Sequence, residues 1–224
     1  MRTRVKVCGL TREEDIRAAC RLGADAIGMV FYEPSPRFLT LERAARLRQE
    51  IPTLVSLVAL FVNPTEEEVR QVIQQVKPDV LQFHGEESVA FCEQFGMPYF
   101  KAFRVGGPGM ESASALAQTC QAYHSAAAWL FDSYSSGYGG SGLSFDTALL
   151  SEVQGLENAP PLIMSGGLQT VTVGGVIRHV HPYAVDVSSG VEEGKGIKSV
   201  EKIAAFLRAV READTLGVGR NAAA

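Results

Sequence analysis

Eight short runs rich in β-branched residues recur along the chain, at 4–8, 25–31, 54–61, 79–83, 98–103, 128–132, 161–164 and 184–187, with helix-period segments between them. Strands that alternate with helices become parallel neighbours through helical crossovers, which confines the chain to the α/β class. The helical period is explicit in Val69, Val72, Ile73 and Val76, and again in Val200, Ile203, Ala204 and Leu207. Capping boxes mark two helix starts, Thr11 with Glu14 and Thr65 with Glu68 behind Pro64. A weaker helix between the second and third strands rests on Leu41, Ala44 and Leu47. Dividing 224 residues among eight units leaves 28 apiece, the compact end for a closed (β/α)8 TIM barrel. An open doubly wound sheet is the competing architecture. Closure is favoured because eight strands is the closing number and no G-x-G-x-x-G follows the first. Without a linker or a break in composition, the chain reads as one barrel domain over 1–212 and a flexible C-terminal tail over 213–224. Gly106 to Gly109 and Ser133 to Gly142 read as loops.

Composition matters for what it excludes. A net charge of −4 provides no broad basic footprint, so nucleic acid is not expected as a partner. Cys8, Cys20, Cys92 and Cys120 form no C-x-x-C pair and have no metal-type spacing to His84, His124, His179 or His181, so no metal site is expected. The N-terminus lacks the apolar run of a signal peptide, and every apolar stretch is strand-length. The expectation is a reduced cytoplasmic protein that does not span a membrane, takes a small-molecule partner, and is a monomer or a homodimer.

In such a barrel chemistry sits where strands end and the following loops begin. Those positions hold Cys8-Gly9, Ser35-Pro36-Arg37, His84-Gly85, Asp132, Ser165-Gly166-Gly167 and Asp186-Val187-Ser188-Ser189-Gly190. The two Ser/Gly loops follow strands seven and eight. There, glycine admits backbone N–H groups to an anion and a following helix adds its dipole; tight turns alone are the plainer reading. Their adjacency favours phosphate. Cys8 is either a small buried hydrophobe, as Cys20, Cys92 and Cys120 read, or a thiolate base or nucleophile favoured by a nearby anion site and Arg37. Asp132 ends an apolar run, where desolvation raises a carboxyl pKa and suits a general acid; the alternative is a loop cap, a role that fits Asp146 better. His84 is open between acid, base, ligand and structural residue, and Arg37 between site and surface. Lys6 and Lys101 lie inside strands and read as structural, each requiring a carboxylate partner.

Taken together, the segments at 5–11 (VKVCGLT), 35–37 (SPR), 81–86 (LQFHGE), 130–132 (LFD) with 139–142 (GGSG), 164–168 (MSGGL) and 185–192 (VDVSSGVE) resemble the phosphoribosylanthranilate isomerase family of tryptophan biosynthesis. The resemblance runs to about residue 210. It implies an Amadori rearrangement of N-(5-phosphoribosyl)anthranilate with Asp132 as acid and Cys8 as base and no cofactor. It further implies that Arg37 meets the anthranilate carboxylate, that His84 and Asp186 line the pocket, and that Ser165, Gly166, Gly167, Ser188, Ser189 and Gly190 hold phosphate. A different sugar-phosphate aminoaldose isomerase, or a barrel that binds a phosphorylated ligand without turnover, are the other readings. The thiol at the first strand's end argues against the former.

Overall fold

The computed structural model describes residues 2–134 and 145–221, with side chains described through 216. β1 (Arg4–Cys8), β2 (Ala26–Val30), β3 (Ser56–Phe61), β4 (Val80–Phe83), β5 (Tyr99–Val105), β6 (Ala128–Ser133), β7 (Leu162–Met164) and β8 (Ala184–Val187) pair in chain order. The ring is sealed by parallel pairing of β8 with β1, Val187 opposite Val7, so the closed alternative holds and the open sheet does not. β5 extends two residues beyond its expected end because Arg104 and Val105 pair with Asp132 and Ser133.

Strand side chains alternate between two environments. Outward residues such as Val7, Ile27, Phe61, Phe83, Phe103 and Phe131 form the main apolar cluster with the helices. Inward, Ala102, Ala128, Leu130, Ile163 and Ala184 plug the barrel below the strand ends. Above this plug, at the C-terminal mouth, a second set of inward residues is polar and lines a pocket.

The helices are α1 (Glu13–Leu22), α2 (Leu41–Arg48), α3 (Glu66–Val76), α4 (Val89–Glu93), α5 (Ala113–Gln121), α6 (Ser151–Gln154), α7 (Thr170–Val180) and α8 (Val200–Asn221). α3 carries the Thr65–Glu68 box in full, and Thr40 caps α2. The Thr11–Glu14 box does not form. α1 starts one residue later, behind Arg12, and the Thr11 hydroxyl instead donates to the Gly196 carbonyl at 2.6 Å. Asp146 is a cap, accepting from the Ala148 amide at 2.9 Å.

The boundary at 212 also moves. α8 continues past it because Ala213 is buried and Asp214 accepts from the amide and hydroxyl of Thr3, at 2.8 and 2.7 Å. Most of the Ser133–Gly142 loop, including 139–142, and residues 222–224 lie outside the described residues. Among the described residues no helix is long and apolar enough to cross a membrane.

Candidate active site

The mouth of the barrel forms one pocket lined by Cys8, Arg37, His84, Asp132, Ser165, Asp186 and Ser188, with Val30, Tyr32, Leu60 and Val62 as an apolar wall. Each polar member stands at a strand end or in the loop after it. Position in the barrel thus brings together residues up to 180 apart in sequence, the separation of Lys6 from its partner Asp186.

Cys8 ends β1 opposite Gly28 of β2. A methyl group at Gly28 would lie 2.7 Å from the Cys8 sulfur, so the glycine creates the space that the thiol fills. Burial pushes the thiol pKa up, and the charges of Lys6 and Lys198 offset this only in part. The thiol is thus harder to ionise than a free cysteine, and Lys6, Lys198 and Arg37 are the cations that ease its ionisation.

Arg37 is buried rather than on the surface. Its Nε and Nη2 donate to the two Glu192 oxygens at 2.7 Å each, and Lys198 Nζ donates to the same carboxylate at 2.7 Å. Burial opposes the Glu192 carboxylate, but Arg37 and Lys198 outweigh it and hold its pKa below the ordinary glutamate value. The clamp fixes the guanidinium plane; among the described residues Nη1 donates to no acceptor. Gly9, at φ +73°, lies directly under the Arg37 stem, where a Cβ would come within 2.3 Å of Cδ.

On the facing wall, Asp132 Oδ1 accepts from the Ser133 amide at 2.9 Å, and Oδ2 lies 3.2 Å from His84 Nε2. That second contact is close enough for charge but off the direction of a hydrogen bond, since His84 Nε2 has no hydrogen-bond partner among the described residues. Gln82 Nε2 stands 3.1 Å from His84 Nδ1, so the Gln82 amide orients the imidazole from the side away from Asp132. Gly166, at φ +77°, admits this wall: a Cβ there would stand 2.6 Å from the Ser133 nitrogen.

The loops after β7 and β8 touch each other. A Cβ on Gly190 would lie 2.0 Å from the Leu168 carbonyl oxygen, so only glycine allows the approach. Among the described residues the amides of Gly166, Gly167, Ser189 and Gly190 donate to no protein acceptor. α7 begins at Thr170, just beyond the first loop. The second loop differs from expectation. It enters a single 3-10 turn (Ser189–Val191) and a short ribbon, β9 (Glu192–Gly194) with β10 (Ile197–Lys198), and α8 starts only at Val200, so no long helix points its N-terminus at this loop.

Glu192, Lys198 and Gln82 join the site without having been singled out from sequence. Gln82 did carry a signal, a polar residue inside the apolar run Val80–Phe83 of a buried strand. Glu192 is 155 residues from Arg37, and no local spacing reveals that pairing. Lys101 has the carboxylate partner it needs, donating to Glu87 at 2.8 Å. Among the described residues no cluster of His, Cys, Asp and Glu is arranged to hold a metal ion.

Three comparisons bear on this geometry. A family model described as N-(5'phosphoribosyl)anthranilate (PRA) isomerase matches residues 5–209. The N-(5'-phosphoribosyl)anthranilate isomerase of Bordetella avium is 55% identical over 214 residues, spanning 96% of this chain and 98% of that one. The solved phosphoribosyl anthranilate isomerase of Thermotoga maritima superposes with a TM-score of 0.84 at 34% identity, covering 94% of this chain and 99% of that chain. A phosphoribosyl anthranilate isomerase structure in complex with reduced 1-(o-carboxyphenylamino)-1-deoxyribulose 5-phosphate superposes at 0.81 with 32% identity and the same coverage.

Proposed function

The chain belongs to the N-(5'-phosphoribosyl)anthranilate isomerase family, and from that premise we propose that Cys8 and Asp132 are the base and the acid of its isomerisation. The reaction is the Amadori rearrangement of N-(5-phosphoribosyl)anthranilate in tryptophan biosynthesis. The observation that carries the assignment is that a thiol and a carboxyl group, from strands at different points of the ring, line one pocket with a guanidinium and two amide-rich loops.

Asp132 gives its proton to the furanose oxygen as the C1′–O bond breaks, and the nitrogen lone pair forms a protonated imine. Cys8 as thiolate then removes the proton from C2′. The C–H electron pair forms the C1′=C2′ bond and the imine pair returns to nitrogen, giving the enol that becomes 1-(2-carboxyphenylamino)-1-deoxyribulose 5-phosphate. The protonated imine is the electron sink.

The amides of Gly166, Gly167, Ser189 and Gly190, with the hydroxyls of Ser165 and Ser188, hold the phosphate at one end of the substrate. At the other, Arg37 meets the anthranilate carboxylate through Nη1, its remaining nitrogens being committed to Glu192. Asp186 keeps one oxygen for a sugar hydroxyl while the other accepts from Lys6 at 3.0 Å. His84 keeps Asp132 turned toward the ring oxygen. Cytoplasmic location and a monomeric or homodimeric state complete the reading, the latter decided by light scattering.

Loss of substrate fluorescence measures turnover directly. Cys8→Ala and Asp132→Asn are each expected to lower kcat by about 100-fold or more with the circular dichroism spectrum intact. Near-normal kcat in Cys8→Ala would remove the base from the scheme, and in Asp132→Asn, the acid.

A further inference from the structure

Lys6 is a buried charge beside the base to which the scheme above gives no chemical part. It lies on the inward face of β1, two residues before Cys8, and its Nζ donates to Asp186 Oδ1 at 3.0 Å with both side chains almost fully covered. An ion pair of this kind contributes little net stability, because desolvation of two charges offsets their attraction and apolar residues of similar volume commonly serve as well. Stability alone therefore does not account for a lysine inside an apolar strand. Its place in the barrel does.

The charged and titratable groups that act on the Cys8 sulfur come from four elements: Lys6 from its own strand, Asp186 from β8, Lys198 from β10 and Arg37 from the loop after β2. Arg37 turns its Nε and Nη2 to Glu192, while His84 and Asp132 face each other on the opposite wall of the pocket. Of these groups Lys6 shares the inward face of β1 with Cys8, two residues before it, and is held there by Asp186 across the β1–β8 seam. Lys198 is spread over the Ser188 carbonyl and the Glu192 carboxylate, at 3.1 and 2.7 Å. Among the described residues Lys6 Nζ donates to one carboxylate oxygen, that of Asp186, and is drawn off by no second acid.

We propose that Lys6 is the positioning residue of the base: its ammonium is the counter-charge against which Cys8 holds a thiolate, and Asp186 pins that ammonium beneath the sulfur. Lys6 stays protonated throughout. The thiolate accepts the C2′ proton and becomes a thiol over an unchanged Lys6–Asp186 pair, so the ammonium stabilises the charge only while the sulfur carries it. The inference rests on Cys8 as base.

The test is Lys6→Met, read by the pH dependence of Cys8 alkylation with iodoacetamide, located on the Cys8 peptide by mass spectrometry, and by the pH profile of kcat/KM. Both the alkylation midpoint and the acid limb of kcat/KM are expected to move up by about one pH unit or more. Turnover at pH 7 should drop about tenfold and recover as the pH is raised. A folded Lys6→Met protein whose alkylation midpoint coincides with wild type overturns the proposal. If that variant does not fold, Lys6→Gln keeps a neutral donor to Asp186 and carries the same alkylation measurement: a raised midpoint supports the proposal and an unchanged one overturns it. Activity surviving in Cys8→Ala would instead sink the assignment of the base, while the alkylation arm still scores the coupling of Lys6 to the sulfur.

Discussion

A single hydrogen atom at Gly28 sets where the sulfur of Cys8 can lie. Alanine there would bring a carbon to 2.7 Å from Sγ and 3.0 Å from the Cys8 Cα, so the thiol must rotate away from the pocket or β1 must move. Overpacking of this kind costs about 1–3 kcal/mol. Gly28→Ala is thus expected to lower both the urea midpoint and kcat, the latter by at least about tenfold, as in the loss of one well-placed group. Gly175, on the exposed side of α7, is the matched control, because an added methyl there would meet nothing within 4 Å. Gly175→Ala should raise stability by about 0.5–1 kcal/mol with kcat unchanged. At this scale the sequence is readable where position does the work. Cys8, Asp132 and Asp186 can be singled out because each ends a strand of a barrel. The partners that tune them cannot, since the Glu192–Arg37 contact spans 155 positions and becomes visible only after the ring closes. Lys6 is visible as a buried charge, but whether it braces the strand or serves the sulfur depends on what lies beside it.

Elements differ in how much of their form is written locally. The eight strands and α3 follow from β-branched runs and a capping box, and they fall where those signals put them. The loop after β8 does not. A Ser/Ser/Gly turn followed by a helix would have served as a simple anion cradle, yet the chain inserts the β9–β10 ribbon between them because Glu192 must reach Arg37 while Lys198 reaches back to Ser188. The ribbon's stability is accordingly tied to one carboxylate. Its pKa lies below the ordinary glutamate value, so Glu192 stabilises the fold above the unfolded glutamate pKa of about 4.3, and that contribution fades as pH falls through the lower folded value. Glu192→Gln leaves two buried cations without their anion and is expected to cost about 3–5 kcal/mol at pH 7. Urea unfolding of both proteins at stepped pH checks the sign: the gap between them should be widest at neutral pH and narrow as pH falls below about 4.3, where the unfolded chain takes up the proton that folded Glu192 resists. A gap that stays constant down to about pH 3 would mean that the clamp's charge contributes nothing.

Closure of the whole barrel depends on β1, which pairs with β2 on one side and β8 on the other, carries Cys8 at its upper end and begins beside the last helix. That lower end is where the boundary expected at residue 212 has its physical test. Ile203, Phe206, Leu207, Val210 and Ala213 continue one buried stripe, so the helical period itself runs past 212; what obscures it is Gly217 and Gly219, poor helix formers a few residues on. Asp214 then accepts both the Thr3 amide and the Thr3 hydroxyl, tying the last helix to the start of the strand that seals the ring. Cutting the chain after Glu212 strands those two donors and removes a buried alanine, a loss of about 2–4 kcal/mol. Cutting after Leu216 keeps both contacts and should change stability by no more than about 0.5 kcal/mol. Trp129, the single tryptophan and buried against Phe103, reports the unfolding of either protein by its fluorescence. Equal midpoints for the two truncations would mean that β1 needs no anchor at its lower end. A lower midpoint for the shorter chain alone, with kcat retained in both, would show that the same strand is fixed by α8 at one end and serves the reaction at the other, the two tasks separated by the length of the barrel.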